Sequence, residues 1–227
     1  MAAASVGRDG RERRLGISRF LMIGTDRRKR AIGLLGGSFN PAHEGHRMIS
    51  LIALKRLGLD EVWWLVSPQN PLKPVAGMAP FAERLANARA VADHRRIKVS
   101  DIETRLGTHF TRDTLKRLTQ RRRQHDFVWL MGADNLVQFP KWEGWQEIFN
   151  TVPIAVFDRP SYSFKALAGV AATRFAGSRI PERNASGLSR RKAPSWVFLH
   201  SRLNPVSATE IRARDTGEKQ GRPTKGH

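Results

Sequence analysis

Cysteine is absent from the 227 residues. That one absence excludes disulfides, thiolate metal sites, thiol nucleophiles and iron–sulfur clusters. It agrees with a reducing compartment, and the cytoplasm is the expected location. Long apolar runs are missing too. Val62–Val66 is typical of the longest, far short of the ~18 residues that mark a membrane span. The apolar stretch near Ile17–Ile23 is short and broken by Arg19, so no secretory signal is expected. Acids are scarce: 20 Asp and Glu stand against 40 Lys and Arg, for a net charge of +20. No internal repeat is found. What remains is a globular composition, 40% hydrophobic and 26% charged. The length favours one large domain over two small ones.

Most of the positive charge falls in residues 1–30, 112–123, 174–192 and 213–227. A basic chain invites a nucleic-acid reading. Single-strand binders, however, interleave basic and aromatic residues, and Trp63, Trp64, Trp129, Trp142 and Trp145 all lie in the near-neutral stretches. Solvated basic faces that attract small anions are the better reading, with no specific nucleic-acid partner expected.

The chain alternates strand and helix patterns. Strands are expected at Ala31–Leu35, Glu61–Val66, Ile97–Val99, Phe127–Met131, Pro153–Phe157 and Trp196–Leu199. The continuous apolar runs suit strands buried on both faces. Helices are expected at Glu44–Leu57, with Met48, Ile49, Ile52 and Arg56 along one face, from Pro80 to about Asp93, at Thr111–Arg123 and at Ser207–Ala213. Ser67–Ala79, with three prolines and a glycine, reads as a loop. This order predicts an α/β fold: a Rossmann-like, doubly wound, mostly parallel sheet with helices on both faces. Such sheets bind ligands at the carboxyl ends of their strands. The expected domain spans 30–215, with a mobile loop at 177–194 and flexible tails at 1–29 and 216–227. Met22 is a candidate start, because the first strand begins soon after it.

The first motif follows the first strand: Gly36-Gly37-Ser38-Phe39-Asn40-Pro41-Ala42-His43-Glu44-Gly45-His46. The glycines let backbone approach a ligand. The helix start offers N–H groups and partial positive charge to phosphate. His43 and His46, three apart, share a face and can donate to phosphoryl oxygens. A Gly-Gly after a strand is also often only a turn. Two histidines at this spacing could ligate a metal, although no Cys, Asp or Glu completes a set, so no protein metal site is expected.

A second motif is Val206-Ser207-Ala208-Thr209-Glu210-Ile211-Arg212. On its own it reads equally as a helix capped by Ser207 with Glu210 three residues on. A third is Met131-Gly132-Ala133-Asp134-Asn135, followed by Phe139-Pro140-Lys141-Trp142-Glu143-Gly144-Trp145. Asp134 at a strand end can accept both hydroxyls of a ribose or cap a helix. Trp142 and Trp145 can equally be core residues.

The first motif resembles the H-x-G-H signature of the nucleotidyltransferase superfamily. Its longer form is similar to that of the bacterial nicotinate-nucleotide adenylyltransferases. The resemblance runs in order from about Ala31 to Arg214. It implies that ATP donates its adenylyl group to nicotinate mononucleotide, giving deamido-NAD and pyrophosphate in NAD biosynthesis. It implies phosphate contacts from His43, His46 and Arg212, and a nucleotide pocket lined by Gly36, Gly37, Ser38 and Phe39. Ser207 and Thr209 would grip the triphosphate; Val206 and Ala208 depart from the family's Ile and Ser there. Gly132 and Asp134 would meet the ATP ribose, and Trp142 or Trp145 would stack on the pyridine ring. Asn40, Asn70, Lys73 and Arg84 would face the mononucleotide. Arg84 lies in Phe81-Ala82-Glu83-Arg84-Leu85, which an ordinary amphipathic helix explains as well. Mg²⁺ would bridge phosphates with few protein ligands. The state could be monomer or homo-oligomer. A pantetheine-phosphate adenylyltransferase would be shorter and lack W-x-x-W. Preference for the amide substrate, nicotinamide mononucleotide, remains a close rival. Nucleic-acid binding through the tails and Arg121–Arg123 is the rival from another class.

Overall fold

The computed structural model describes residues 28–68, 77–159 and 162–200. Six parallel strands form one sheet. They are β1 (Arg30–Gly37), β2 (Glu61–Val66), β3 (Ile97–Ser100), β4 (His125–Gly132), β5 (Ile154–Phe157) and β6 (Trp196–Leu199). Among the described residues eight α-helices connect them: α1 (Glu44–Arg56), α2 (Phe81–Ala92), α3 (Ile102–Leu106), α4 (Thr111–Arg121), α5 (Ala133–Gln138), α6 (Trp145–Thr151), α7 (Ser163–Leu167) and α8 (Val170–Arg174). Three 3-10 segments, Phe139–Lys141, Ala176–Ser178 and Glu182–Arg190, complete the described elements. None of the helices among the described residues is long and apolar enough to cross a membrane.

The strand order is β3-β2-β1-β4-β5-β6. The chain runs outward one way from β1 and then the other way from β4. Ligands of such sheets sit where the order reverses, outside the carboxyl ends of the two central strands. Here those ends are Gly36-Gly37 and Gly132, which is where the first and third motifs begin.

Alternation along the strands divides the core. Ala31, Leu35, Val62, Trp64 and Val66 face α1 and α2. Ile32, Leu34, Leu65, Phe127, Trp129 and Met131 face the layer of α3 to α6. All six expected strands are present: β2 and β6 keep the expected bounds, β1, β3 and β4 run longer, and β5 starts a residue later. The buried face of α1 differs from the one expected. It is Ser50, Ala53 and Leu54, while Ile49 and Ile52 only flank the core. Ser50 belongs inside because its hydroxyl accepts the Trp64 indole N–H at 2.7 Å and donates to the His46 carbonyl at 2.8 Å.

Gly177–Pro194, read as a loop, is largely 3-10 helix. Ala185 and Leu188, three apart, are buried against the sheet, as the three-residue turn of that helix requires. Its Ile180 N–H donates to the Trp196 carbonyl at 2.8 Å.

Candidate active site

The site begins where β1 ends. Gly36 has no room for a Cβ, which would overlap the ring of Trp129. Packing alone therefore requires glycine there. Gly37 is different, since a Cβ there would make only ordinary contact with the Phe39 ring at 3.5 Å. Phe39 adopts φ 46, a left-handed conformation that costs a non-glycine residue roughly 1 kcal/mol. Its ring is 1% exposed and stacks on Trp64 at 5.1 Å, which holds the turn. Phe39 was expected to line the nucleotide pocket; its ring is instead core, and only its backbone borders the site. Ser38 is also buried.

His43 and His46 cap α1 reciprocally. The Gly45 N–H donates to His43 Nδ1 at 3.1 Å, and the His43 N–H donates to His46 Nδ1 at 3.2 Å. The rings lie 3.9 Å apart, and His46 packs on Phe39 and Trp64. Accepting at Nδ1 puts the proton of each neutral ring on Nε2. The helix start was expected to offer its own N–H groups to phosphate. Those of Gly45 and His46 are taken, by His43 Nδ1 and by the His43 carbonyl. The imidazole Nε2 protons add to the partial positive charge of the helix start.

The loop is tied to α2. Asn40 Nδ2 donates to the Gly77 carbonyl at 3.1 Å, and its Oδ1 accepts the Ala79 N–H at 3.2 Å. Asn87 Oδ1 accepts the Ala42 N–H at 2.8 Å. Arg84, expected to face the mononucleotide, is 2% exposed and bonds backbone carbonyls.

At the end of β4, Gly132 lets the carboxylate of Asp134 fold back, since a Cβ would lie 2.5 Å from Asp134 Oδ1. Asp134 does not cap α5; the N-cap is Gly132, without a side-chain bond. Asp134 sits in the first turn and pairs with Arg159 Nη1 at 2.7 Å. Arg159, just past β5, escaped the sequence reading because nothing local marks it. Trp142 and Trp145 are both half-buried. Trp142 meets Trp129 and Phe139 edge-on, and Trp145 meets Phe139, Phe149 and Phe175. Core packing and a half-exposed ring thus coexist in each.

Glu103, past the end of β3, was also not foreseen. It is 6% exposed, and burial pushes its carboxyl up to about 7, against the opposing pull of a hydrogen bond from Ser67. Thr108 and Thr114 are buried in the same layer, with hydroxyls 2.7 Å apart.

Asn70, Lys73, Ser207, Thr209 and Arg212 lie outside the described residues. A groove of about 410 Å³ at the amino ends of β4 and β5 holds Lys29, Arg123, Arg191 and Lys192. It lies on the opposite edge from the histidines, so these cations do not face the site.

The cytidylyltransferase-like family model matches residues 34–214. The probable nicotinate-nucleotide adenylyltransferase of Parvibaculum lavamentivorans is 55% identical over 81% of this chain and 91% of its own. The probable enzyme of the same name from Bradyrhizobium sp. strain ORS 278 is 53% identical over 81% of this chain and 96% of its own. Among solved structures, a Plasmodium falciparum nicotinic acid mononucleotide adenylyltransferase complexed with NaAD superposes with TM-score 0.59 at 17% identity. It covers 81% of this chain and 83% of that one, a likeness of fold. With the motifs at the reversal of the sheet and this identity across most of its length, the chain belongs to the nicotinate-nucleotide adenylyltransferases, within the cytidylyltransferase-like family.

Proposed function

We infer that this chain transfers the adenylyl group of ATP to nicotinate mononucleotide, forming deamido-NAD and pyrophosphate in NAD biosynthesis. The observation that carries the reading is the histidine pair: two rings at a helix start, each turned by its Nδ1 bond so that Nε2 bears the proton. A phosphate oxygen of the mononucleotide forms a bond to the α-phosphorus. The bond from that phosphorus to the bridging oxygen breaks in line, and pyrophosphate leaves with the electron pair. The histidines serve as donors, as suits a reaction governed by positioning and charge stabilisation.

His43 and His46 donate to the phosphates and offset charge on the departing group. Ser207, Thr209 and Arg212 hold the triphosphate by the family pattern, Arg212 in a bidentate manner. Gly37 and the Ser38 backbone border the nucleotide. Asp134 accepts the ribose hydroxyls while the Arg159 ion pair keeps it aimed. Asn70 and Lys73 face the mononucleotide, and Trp142 or Trp145 stacks on its ring. Asn40 shapes the loop between the subsites. Mg²⁺ would come with ATP and would offset the charge of its phosphates. Such an ion takes few protein ligands in nucleotide sites. The enzyme acts in the cytoplasm on these small molecules, as a monomer or homo-oligomer, without a specific nucleic-acid partner.

The test is pyrophosphate release from ATP and Mg²⁺ with nicotinate and nicotinamide mononucleotides side by side. Preference for the acid is expected. Preference for the amide would overturn the ring-pocket reading, and release with neither would overturn the substrate.

A further inference from the structure

We propose that α2 is the positioning element of the active site, and that Arg84 is the strut fixing the distance between the two substrate-bearing loops. The proposal rests on the function above. Arg84 Nη1 donates to the Ser38 carbonyl at 2.6 Å and to the Ser67 carbonyl at 2.8 Å. Nη2 donates to the Pro68 carbonyl at 2.8 Å, and Nε to the Ala79 carbonyl at 3.0 Å. Ser38 follows β1, on the side of ATP; Ser67 and Pro68 follow β2, on the side of the mononucleotide. One guanidinium nitrogen thus holds one carbonyl from each side.

The chemistry excludes a substrate role for Arg84. A guanidinium has five N–H groups, and four are committed to backbone here. None of the ion pairs among the described residues includes it. Its charge is met by carbonyl dipoles, and burial lowers its pKa from the ordinary arginine value. Too few donors remain for a bidentate grip on phosphate.

Asn87 works from the same face of α2, three residues on. Its Oδ1 holds the Ala42 N–H, immediately before His43. Arg84 and Asn87 therefore secure the 38–43 loop at its two ends. The turn before α2 is secured in return by Asn40. A displacement of about 1 Å between reacting groups can cost ~100-fold in rate, so this clamp governs turnover more than binding.

The test is steady-state kinetics of the full chain with ATP, Mg²⁺ and nicotinate mononucleotide. Arg84→Lys keeps the charge but presents donors from a single point, which cannot reach four carbonyls. The expected result is a kcat lowered about 100-fold, with both KM values within about threefold of wild type. A rise in the mononucleotide KM alone, with kcat intact, would make Arg84 a substrate ligand and overturn the proposal. Unchanged kinetics would overturn it as well. If Arg84→Lys does not fold, Asn87 carries the test. Asn87→Leu lowers kcat, and Asn87→Asp, which keeps an acceptor oxygen, recovers most of the loss. Equal loss in both variants, or in neither, refutes the clamp. An inactive wild-type chain would instead refute the function, so the two failures are distinguishable.

Discussion

Glu103→Gln makes the protein more stable at pH 8 and much less so at pH 5. The Glu103 carboxyl is buried beside the carboxyl ends of β2 and β3, and burial raises its pKa from 4.5 to about 7 despite the Ser67 hydrogen bond. A raised acid favours its protonated form in the folded state. Below pH 4.5 both folded and unfolded chains are protonated there, and the group costs nothing. Between 4.5 and 7 the unfolded chain ionises first, and stability falls as pH rises. Above 7 both states are ionised and the penalty is constant. A gap of about 2.5 pH units, at about 1.4 kcal/mol each, gives a penalty of roughly 3 kcal/mol. Glutamine has nearly the same shape and cannot ionise. The assay is urea unfolding of both proteins at pH 5, 6, 7 and 8, followed by tryptophan fluorescence. Taking the difference between variants at each pH cancels every other titrating group. That difference grows toward roughly 3 kcal/mol in favour of the glutamine variant. A difference constant from pH 5 to 8 would refute the reasoning.

Two further predictions concern the chemistry. His46→Ala lowers kcat by roughly 10²–10³-fold, the usual loss for one charge-stabilising donor, while circular dichroism stays native; wild-type turnover would remove His46 from the phosphate site. Trp142→Ala or Trp145→Ala raises KM for the mononucleotide more than for ATP, whereas equal effects on both substrates point to core packing. Trp145, with edge-on contacts to Phe139, Phe149 and Phe175, loses more in thermal unfolding than Trp142.

The strands were legible because a buried parallel strand is a continuous apolar run, a strong local signal. The first motif was legible because its residues act within a span of eleven. The short helices α3, α5, α7 and α8 were not, since five or six residues are too few to display a helical period. The roles of Arg84, Asn87, Arg159 and Glu103 were illegible for another reason. Each is set by a partner far along the chain: Arg84 by Ser38, Asn87 by Ala42, Arg159 by Asp134 and Glu103 by Ser67. Such bonds leave no trace in local spacing. The motif resemblance placed Arg84 near the substrate, but only the fold shows that its donors are committed to carbonyls.

Gly36 and Gly37 are the sharpest case, because adjacent identical letters do different work. Both were read as room for a ligand. Gly36 instead makes room for Trp129, a ring 2% exposed and held edge-on by Trp142. Gly36→Ala therefore overpacks the core, at a cost of about 1–3 kcal/mol, and lowers the urea midpoint. Gly37→Ala meets nothing closer than 3.5 Å on the protein side. Its φ lies outside the left-handed range, so alanine stabilises by up to about 1 kcal/mol through the unfolded chain. Its cost falls on substrate: a methyl group at the strand end beside the histidines raises KM for ATP. Stability and activity thus separate, Gly36→Ala losing the first and Gly37→Ala the second. Full activity in Gly37→Ala would mean that no ligand approaches the backbone there, and the nucleotide would have to be placed elsewhere along the loop.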